Sequence, residues 1–213
     1  MKNELNRDNV NLIICHVGSG ASITCVKDGK CFDTSMGLTP LDGLIMGTRS
    51  GSIDPSIIKF VMEESGKDID EITNDLNKSS GLLGVCGKND FRDVLSMKLD
   101  GNENGILAYN MFKDSIVKHI AEYYFELNGN VDAIVFTAGV LENNVMLRGD
   151  IVNMLSKPMN LYLNKDVNNN IGYGHELDMG VITTNDSKIP VYVVPTNEEV
   201  MILRDTYKII KEN

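Results

Sequence analysis

The chain has 213 residues, of which 42% are hydrophobic and 23% charged, and its formal net charge is −10 at pH 7. These proportions are typical of a globular protein with a sizeable core, and the acidic balance argues against a nucleic-acid-binding surface. Because no apolar run of about 18 residues and no signal-peptide pattern occurs, we expect a cytoplasmic protein with neither a membrane nor a nucleic-acid partner.

The chain contains four cysteines that form no C-x-x-C pair and have no histidines at zinc spacing. Cys15 and Cys25 fall inside apolar strand patterns, which predicts buried, reduced thiols. His119 and His175 have no evident Cys, Asp or Ser partner in the sequence, so both are interpreted as structural or surface residues.

A β-hairpin is predicted where two short apolar runs, residues 12–15 and 23–26, are joined by His16, Gly18, Ser19 and Gly20. Glycine allows positive φ and a close approach of another backbone or an anion. A turn of this kind presents several main-chain N–H groups together, which suits phosphate oxygens. Tight hairpin turns call for the same residues without any ligand, so the hairpin alone leaves both interpretations open.

The next part of the chain is predicted to continue with one strand, a long loop and several helices. The loop covers the glycine-rich residues 34–52, with room for a short helix over 40–46. Asp54 and Pro55 form an N-cap followed by proline at the first helical position. The predicted elements are a strand over 30–33, helices over 54–64 and 68–78, a glycine-punctuated link over 81–87, and a short helix capped by Asn89 or Asp90.

The second half of the chain is predicted to alternate helices and strands around one buried central strand. Residues 103–127 carry apolar side chains at three- and four-residue steps, which predicts a long helix with one buried face. The apolar run 133–137 is typical of a central strand. The remaining predictions are a helix from 142–144 to about 155, a strand over 159–163, a polar excursion over 164–188, a strand over 190–194, and a closing helix capped by Thr196 or Asn197 through 210.

This pattern predicts a single α/β domain with polar turns at the ends of three strands, at residues 16–20, 137–143 and 196–199. Ligands in α/β folds bind where the carboxyl ends of strands meet, so a shared site is expected. A dinucleotide-binding motif is excluded because a strand follows the glycines, and no P-loop sequence occurs. Arg49, flanked by glycines and hydroxyls, suits a phosphoryl group or a surface ion pair. Glu198 suits Mg²⁺ or the first turn of a helix.

Five segments together carry a resemblance to a known family. They are HVGSGAS at 16–22, DTSMGLTPLDGLIMGTRSGSID at 33–54, NDFRD at 89–93, FTAGVLEN at 136–143 and PTNEE at 195–199. In this order and spacing the sequence resembles acetate kinase over residues 11 to 210. The resemblance implies an RNase H-like domain of the actin-like ATPase superfamily, with a mixed sheet that opens in a three-strand meander and is flanked by helices.

The resemblance also implies site residues, a reaction and cofactors. The implied nucleotide-binding residues are His16, Val17, Gly18, Ser19, Gly20, Asp90, Phe91, Arg92, Gly139, Val140, Leu141, Glu142 and Asn143. Residues 16–20 would cradle phosphates and 139–143 would lie against adenosine and ribose. Arg49 would steady the transferring phosphoryl group, and Glu198 would assist Mg²⁺. The family reaction transfers the γ-phosphoryl group of ATP reversibly to acetate, giving acetyl phosphate and ADP.

The sequence departs from the family in two ways. Leu141 replaces the usual glycine, so a large apolar side chain is expected beside the adenosine pocket. The chain resembles the second of the family's two domains and the last part of the hinge before it, and the first domain's acetate-binding and catalytic groups have no counterpart in the 213 residues. We therefore expect weak nucleotide binding, no turnover by the isolated chain, a homodimer formed through the helix 103–127 or the last helix, and complementation by a separate first-domain chain. Propionate or butyrate kinase, or a nucleotide-binding module without catalysis, remain alternatives.

Overall fold

The computed structural model describes residues 1–172 and 177–212, without the side chains of Glu198 and Glu212. The strands are β1 Leu12–Val17, β2 Ala21–Lys27, β3 Lys30–Thr34, β4 Ala133–Thr137, β5 Gly180–Val181 and β6 Val191–Val193. They form one sheet in the order β3-β2-β1-β4-β6-β5. β1, β4 and β6 run parallel, and β2, β3 and β5 pair antiparallel to their neighbours. The predicted α/β class, with a mixed sheet opening in a three-strand meander, is confirmed.

Several helices begin at a capping side chain, including the predicted caps Asp90 and Asn197, whereas the helix after Asp54 has Pro55 as its N-cap. Asp68 forms a capping box with Glu71, Asp90 accepts a hydrogen bond from the N–H of Arg92, and Asn197 accepts one from Val200 at 3.1 Å. Such side-chain oxygens satisfy N–H groups that have no partner inside the helix. The helices are α1 Ser56–Ser65, α2 Ile69–Lys78, α3 Gly81–Cys86, α4 Phe91–Leu99, α5 Glu103–Glu126, α6 Gly139–Asn143, α7 Val145–Met159, α8 Lys165–Asn169 and α9 Glu198–Glu212.

One face of the sheet carries the main core. Alternate residues of β1 point to this face, and Ile13, Cys15 and Val17 are completely buried there. Helix α5 covers β1 and β2 with the face that the periodicity predicts, and α3, α4 and α7 pack around it. The rigid platform so formed fixes the direction in which each strand end leaves the sheet.

The opposite face is covered more thinly. Val10, Leu12, Ala133 and Tyr192 form a second, smaller buried cluster, against which residues near the N-terminus such as Leu5 are packed. Within the described residues, no helix combines the length and the apolar character needed to cross a membrane.

Four local expectations differ from the structure. Residues 81–87 form helix α3, which ends at the left-handed Gly87, rather than a link. Residues 159–163 are not a strand, because α7 continues to Met159 and only an isolated bridge pairs Leu163 with Thr183. No helix forms over 40–46, and the excursion 164–188 contains α8 and β5.

The predictions for cysteine and histidine can be followed for all but one residue. Cys15 and Cys25 are buried free thiols, as expected. His119 is partly buried, with its Nδ1 atom 2.9 Å from the oxygen of Ser115 one turn earlier, which fits a structural role. His175 lies outside the described residues.

Candidate functional site

The carboxyl ends of the three parallel strands lie along one edge of the sheet and bring the three predicted turns together. β1 leads into residues 18–20, β4 into 138–143, and β6 into Thr196. The hydroxyl oxygens of Thr137 and Thr196 lie 2.9 Å apart, which joins two of these turns directly. The sheet topology thus builds the site where ligands of α/β folds are expected.

The hairpin turn is tighter than the sequence predicts. His16 and Val17 belong to β1, where they pair with Ser22 and Ala21, so only residues 18–20 form the turn. The N–H of Gly18 donates to the oxygen of Gly20 at 2.9 Å. Within residues 1–172 and 177–212, the N–H groups of Ser19 and Gly20 have no hydrogen-bond partner. Two neighbouring free amides at the tip of a turn suit an anion.

Of the two reasons expected for the hairpin glycines, positive φ is wrong. Neither Gly18 nor Gly20 has positive φ. A Cβ atom at Gly20 would lie 3.4 Å from Nη1 of Arg49, and one at Gly18 would lie 3.6 Å from Cβ of Ala138. Both distances are ordinary van der Waals contacts, so the fold itself does not demand glycine at either position, and the absent side chains leave the tip of the turn uncovered.

A cleft of about 730 Å³ lies beside this turn. Three segments that are far apart in the chain meet in it: the turn at 18–19, the start of α4 and the turn after β4. The sequence predicts that these three segments share a site. The volume is in the range of sites for small molecules and cofactors. The lining residues are Gly18, Ser19, Gly47, Leu82, Asn89, Asp90, Phe91, Arg92, Phe112, Gly139, Val140, Asn143 and Asn144.

The start of α4 places a carboxylate and a guanidinium on the rim of the cleft. Asp90 accepts the main-chain N–H of Arg92 at 2.9 Å and also binds Nε at 3.0 Å and Nη2 at 2.5 Å. These hydrogen bonds from Arg92 lower the pKa of Asp90 to about 2. The Arg92 side chain is otherwise 89% exposed, so its outer edge is available to a bound anion.

The wall next to these charges is aromatic. Phe91 is nearly buried, with its ring centroid 4.8 Å from that of Phe112 and 5.7 Å from that of Tyr109. Tyr109 is held in turn, because its hydroxyl donates to Asp150 at 2.7 Å. The cleft therefore combines an apolar side, suited to a planar base, with a polar rim.

The turn after β4 is held by Glu142. Its Oε1 atom accepts hydrogen bonds from the N–H of Ala138 at 2.6 Å and the N–H of Thr196 at 2.8 Å. Ala138 itself has φ 68° and ψ 159°, a conformation that L-residues rarely adopt. The carboxylate of Glu142 thus stabilises the turn and is not part of the cleft lining.

Leu141, the large apolar side chain expected beside the adenosine pocket, does not line the cleft. Leu141 is completely buried and belongs to the main core, whereas Gly139, Val140 and Asn143 of the same helix line the cleft. Leu141 is the middle residue of the single helical turn α6, and its side chain points inward. The leucine that replaces the family's usual glycine therefore fills space in the core.

Sequence reasoning missed Arg148, which lies in α7 and is also completely buried. It donates to the main-chain oxygens of Leu141 and Glu142 at 2.9 and 2.5 Å and to the side-chain oxygen of Asn168 at 2.9 Å. Burial lowers the pKa of Arg148 to about 10. One sequence signal could have indicated its burial: Arg148 lies three residues before Ile151, on the apolar face of α7.

Arg49 lies on the other side of the hairpin tip. It lines a second, smaller cavity of about 380 Å³ that shares Ser19 with the cleft. Its Nη1 atom contacts the sulfur of Met46 at 3.6 Å. The complete lining of this cavity is Ser19, Gly20, Thr48, Arg49, Asn77 and Lys78.

Most predicted residues are brought to these two cavities, and a few are not. The side chains of His16, Val17, Leu141 and Glu142 line neither, and the side chain of Glu198 lies outside the described part of the structure. Among the described residues, no group of three or more His, Cys, Asp or Glu side chains is arranged to hold a metal ion.

Comparison with known proteins gives one consistent family. Residues 1–204 match the family model described as the acetokinase family. The acetate kinase of Clostridium novyi is 45% identical over 209 residues, which are 98% of this chain and 50% of that protein. The acetate kinase of Finegoldia magna is 46% identical over 208 residues, 97% and 51% of the two chains. The chain therefore spans about half the length of the curated relatives it matches.

Solved structures agree with these matches. The acetate kinase of Porphyromonas gingivalis has a TM-score of 0.89 and 39% identity, with 98% of this chain and 52% of that chain covered. A propionate kinase from Francisella tularensis has a TM-score of 0.86 and 42% identity, with 94% and 50% covered. The sheet and helices described above are thus the fold of one half of such kinases, as expected of an actin-like ATPase domain.

Proposed function

Because this chain belongs to the acetokinase family, we propose that it forms the nucleotide-binding half of an acetate kinase. The complete enzyme would transfer the γ-phosphoryl group of ATP reversibly to acetate, giving acetyl phosphate and ADP. The observation that carries this proposal is the cleft in which the hairpin tip, the start of α4 and the turn after β4 meet.

Each side of the cleft suits one part of ATP or ADP. The free N–H groups of Ser19 and Gly20 would donate hydrogen bonds to phosphate oxygens. Arg92, oriented by Asp90, would neutralise phosphate charge from the rim. The apolar side formed by Phe91 and the exposed backbone of Gly139 would take the adenosine. Phosphoryl transfer depends on such positioning and charge neutralisation more than on covalent chemistry by the protein.

Mg²⁺ would enter this site with the nucleotide. A Mg²⁺ ion in a nucleotide site keeps several waters and is held by one or two carboxylates and the substrate phosphates, so a preformed cluster of carboxylates is not required. Glu142 is occupied by four donors of its own turn and the β6 end. Glu198, to which the family resemblance assigns Mg²⁺, is the carboxylate we propose for this role.

The chain would supply one wall of the catalytic cleft. We propose that residues 1–213 form a single domain equivalent to the second half of the family's enzymes, and that the first half supplies the acetate pocket. The isolated chain would then bind nucleotide and show no turnover, because closure of two domains around the substrates excludes water and completes the site.

Nucleotide binding is tested by calorimetric titration of Mg·ADP into the purified chain. Arg92→Ala and Gly20→Val are each expected to weaken binding at least about tenfold, because one loses a charged hydrogen-bond donor and the other places a branched side chain beside the free N–H groups of the hairpin tip. Arg204→Ala, on the exposed helix α9, is the matched control and should bind as the unaltered chain does. Absence of ADP binding by the unaltered chain would refute the proposal.

Activity is tested by adding the first half of the Clostridium novyi acetate kinase as a separate chain. Acetyl phosphate, trapped as its hydroxamate, should form only in the mixture. Turnover by the isolated chain would contradict the proposed division of roles. Nucleotide binding without turnover in the mixture would favour the alternative of a binding module that lacks catalysis.

The same assay can test which acid is phosphorylated. This question arises because a solved propionate kinase is 42% identical to this chain. Acetate, propionate and butyrate should be compared in the mixture. If the acyl pocket belongs to the first half, exchanging that half for one from a propionate kinase changes the preferred acid, whereas exchanging the present chain does not.

We further propose a cytoplasmic homodimer. Helix α9 is exposed along most of its length, including Ile202, Leu203 and Ile210, and α5 exposes Leu107 and Phe125. These apolar side chains are candidates for contact with a second copy. Light scattering during size-exclusion chromatography should give about twice the mass of one chain.

A further inference from the structure

The second cavity, beyond the hairpin tip, has the composition of an anion site. Two of its six lining residues, Arg49 and Lys78, are cationic, and none is acidic. In the described part of the chain, neither residue forms an ion pair with a carboxylate. In a protein with a net charge of −10, two unpaired cations facing the same cavity favour a negatively charged ligand.

The loop that carries Arg49 is fixed to the helix that carries Lys78. The N–H of Ser50 donates to the oxygen of Leu76 at 2.9 Å. The hydroxyl of Thr48 donates to the oxygen of Asn77 at 3.0 Å. Because both bonds use carbonyls at the end of α2, the backbones that bear Arg49 and Lys78 are held together before any ligand binds.

The cavity adjoins the nucleotide cleft at one residue. Ser19 lines both spaces, and Arg49 lies against Gly20, where a Cβ atom would come within 3.4 Å of its guanidinium. A polyphosphate chain that starts in the cleft and passes the free N–H groups of the hairpin tip would therefore end between Arg49 and Lys78.

We propose that Lys78 is a binding residue for the terminal phosphoryl group of a nucleoside triphosphate. This inference rests on the proposed function, since it requires the nucleoside and the first phosphates to occupy the cleft. A lysine ammonium is a compact point charge on a flexible stem, and Lys78 is exposed at the end of α2. The flexible side chain of Lys78 would keep its ammonium group next to the terminal phosphoryl group, while the planar guanidinium of Arg49 would bind that group through two hydrogen bonds.

The test compares Lys78→Gln with the unaltered chain in titrations with Mg·ADP and with a non-hydrolysable Mg·ATP analogue. Lys78→Gln should weaken binding of the ATP analogue about tenfold and change ADP affinity less than about twofold. Lys78→Arg should restore most of the lost affinity. Lys59→Gln, at another exposed helical lysine, is the control and should change neither affinity.

A second measurement follows the Lys78 amine itself. The ATP analogue should protect it from reductive methylation, read by mass spectrometry, and ADP should leave it reactive. Unchanged affinity of Lys78→Gln for the ATP analogue, or equal losses for both nucleotides, would overturn the role of Lys78 while ADP binding still supports the proposed function. An unaltered chain that binds neither nucleotide would overturn both.

Discussion

The guanidinium of Arg148 donates to the main-chain oxygen of Leu141 at 2.9 Å in a place where the arginine is 0% exposed. All five of its N–H groups are used, and every acceptor is a neutral oxygen, of Leu141, Glu142, Asn168 or Ile171. A buried charge is tolerated when its hydrogen bonds are complete. Arg148 therefore ties the turn of helix that lines the cleft to α8.

Removal of this guanidinium should be strongly destabilising. Arg148→Met leaves several buried carbonyls without a donor and is expected to lower the free energy of unfolding by about 3 kcal/mol or more. Arg148→Lys keeps the charge and loses the planar fork, so it should also destabilise, by about 2 kcal/mol. Urea unfolding followed by circular dichroism measures both. The exposed Arg204→Met should stay within about 0.5 kcal/mol of the unaltered chain, and a comparable result for Arg148→Met would contradict this role.

Thiol reactivity should separate the four cysteines. Cys31 is exposed and Cys86 partly exposed, whereas Cys15 and Cys25 are buried. Burial, chiefly, raises the pKa of Cys25 to about 11 and raises that of Cys15 as well. A disulfide reagent attacks the thiolate, so the exposed Cys31 should react first.

The buried pair should react only when the chain unfolds. Counting released chromophore with and without urea gives the number of protected thiols. Cys31→Ser is the control, because it should remove the fastest phase and leave the urea-dependent phase unchanged. Rapid labelling of Cys15 in the absence of urea would show that the core around β1 opens.

The main elements of the fold are predictable because their patterns are long and their packing is simple. Helix α5 repeats one apolar face over its whole length, and β4 is buried on both sides. Helix α3 was missed because its glycines resemble a link, although Gly81 and Gly87 have positive φ at its two ends. Residues 159–163 alternate like a strand, but Asn160 is left-handed and ends α7.

The candidate site is predictable in outline, since parallel strands must end at one edge of the sheet. The direction of each side chain depends on register, which a short turn does not reveal. Leu141 points into the core, and Val17 belongs to the strand, for this reason. Arg148 and Lys78 were missed because a charged residue on a helix is usually solvated. Only tertiary packing places Arg148 beneath the turn that lines the cleft and Lys78 at the second cavity.

Ala138 should tolerate glycine unusually well. Its φ of 68° and ψ of 159° cost an L-residue about 1 to 3 kcal/mol, while glycine adds unfolded-state entropy and loses a buried methyl group. Ala138→Gly is therefore expected to leave the free energy of unfolding unchanged or raise it by about 1 kcal/mol. Ala121→Gly, inside α5, should lower it by about 1 kcal/mol. A loss at Ala138 as large as that at Ala121 would show that the turn is unstrained.

Asp90→Asn should separate two roles of one side chain. Asparagine also caps helices well, so the acceptor for the N–H of Arg92 is kept, and stability should change by less than about 0.5 kcal/mol. The charge that orients the Arg92 guanidinium is lost. ADP affinity, measured by calorimetry, should therefore fall about fivefold.

The pH dependence and a double-mutant cycle test the same ion pair. Because Arg92 lowers the pKa of Asp90 to about 2, the ion pair is fully formed at and above the ordinary pKa of a carboxyl group. It is lost only when the pH falls below that ordinary value and approaches the lowered pKa. The ratio of ADP affinities between the unaltered chain and Asp90→Asn should then be constant from pH 5 to pH 8. In an Arg92→Ala background, Asp90→Asn should have no further effect. If Asp90→Asn weakened ADP binding equally in that background, Asp90 would affect the nucleotide independently of Arg92.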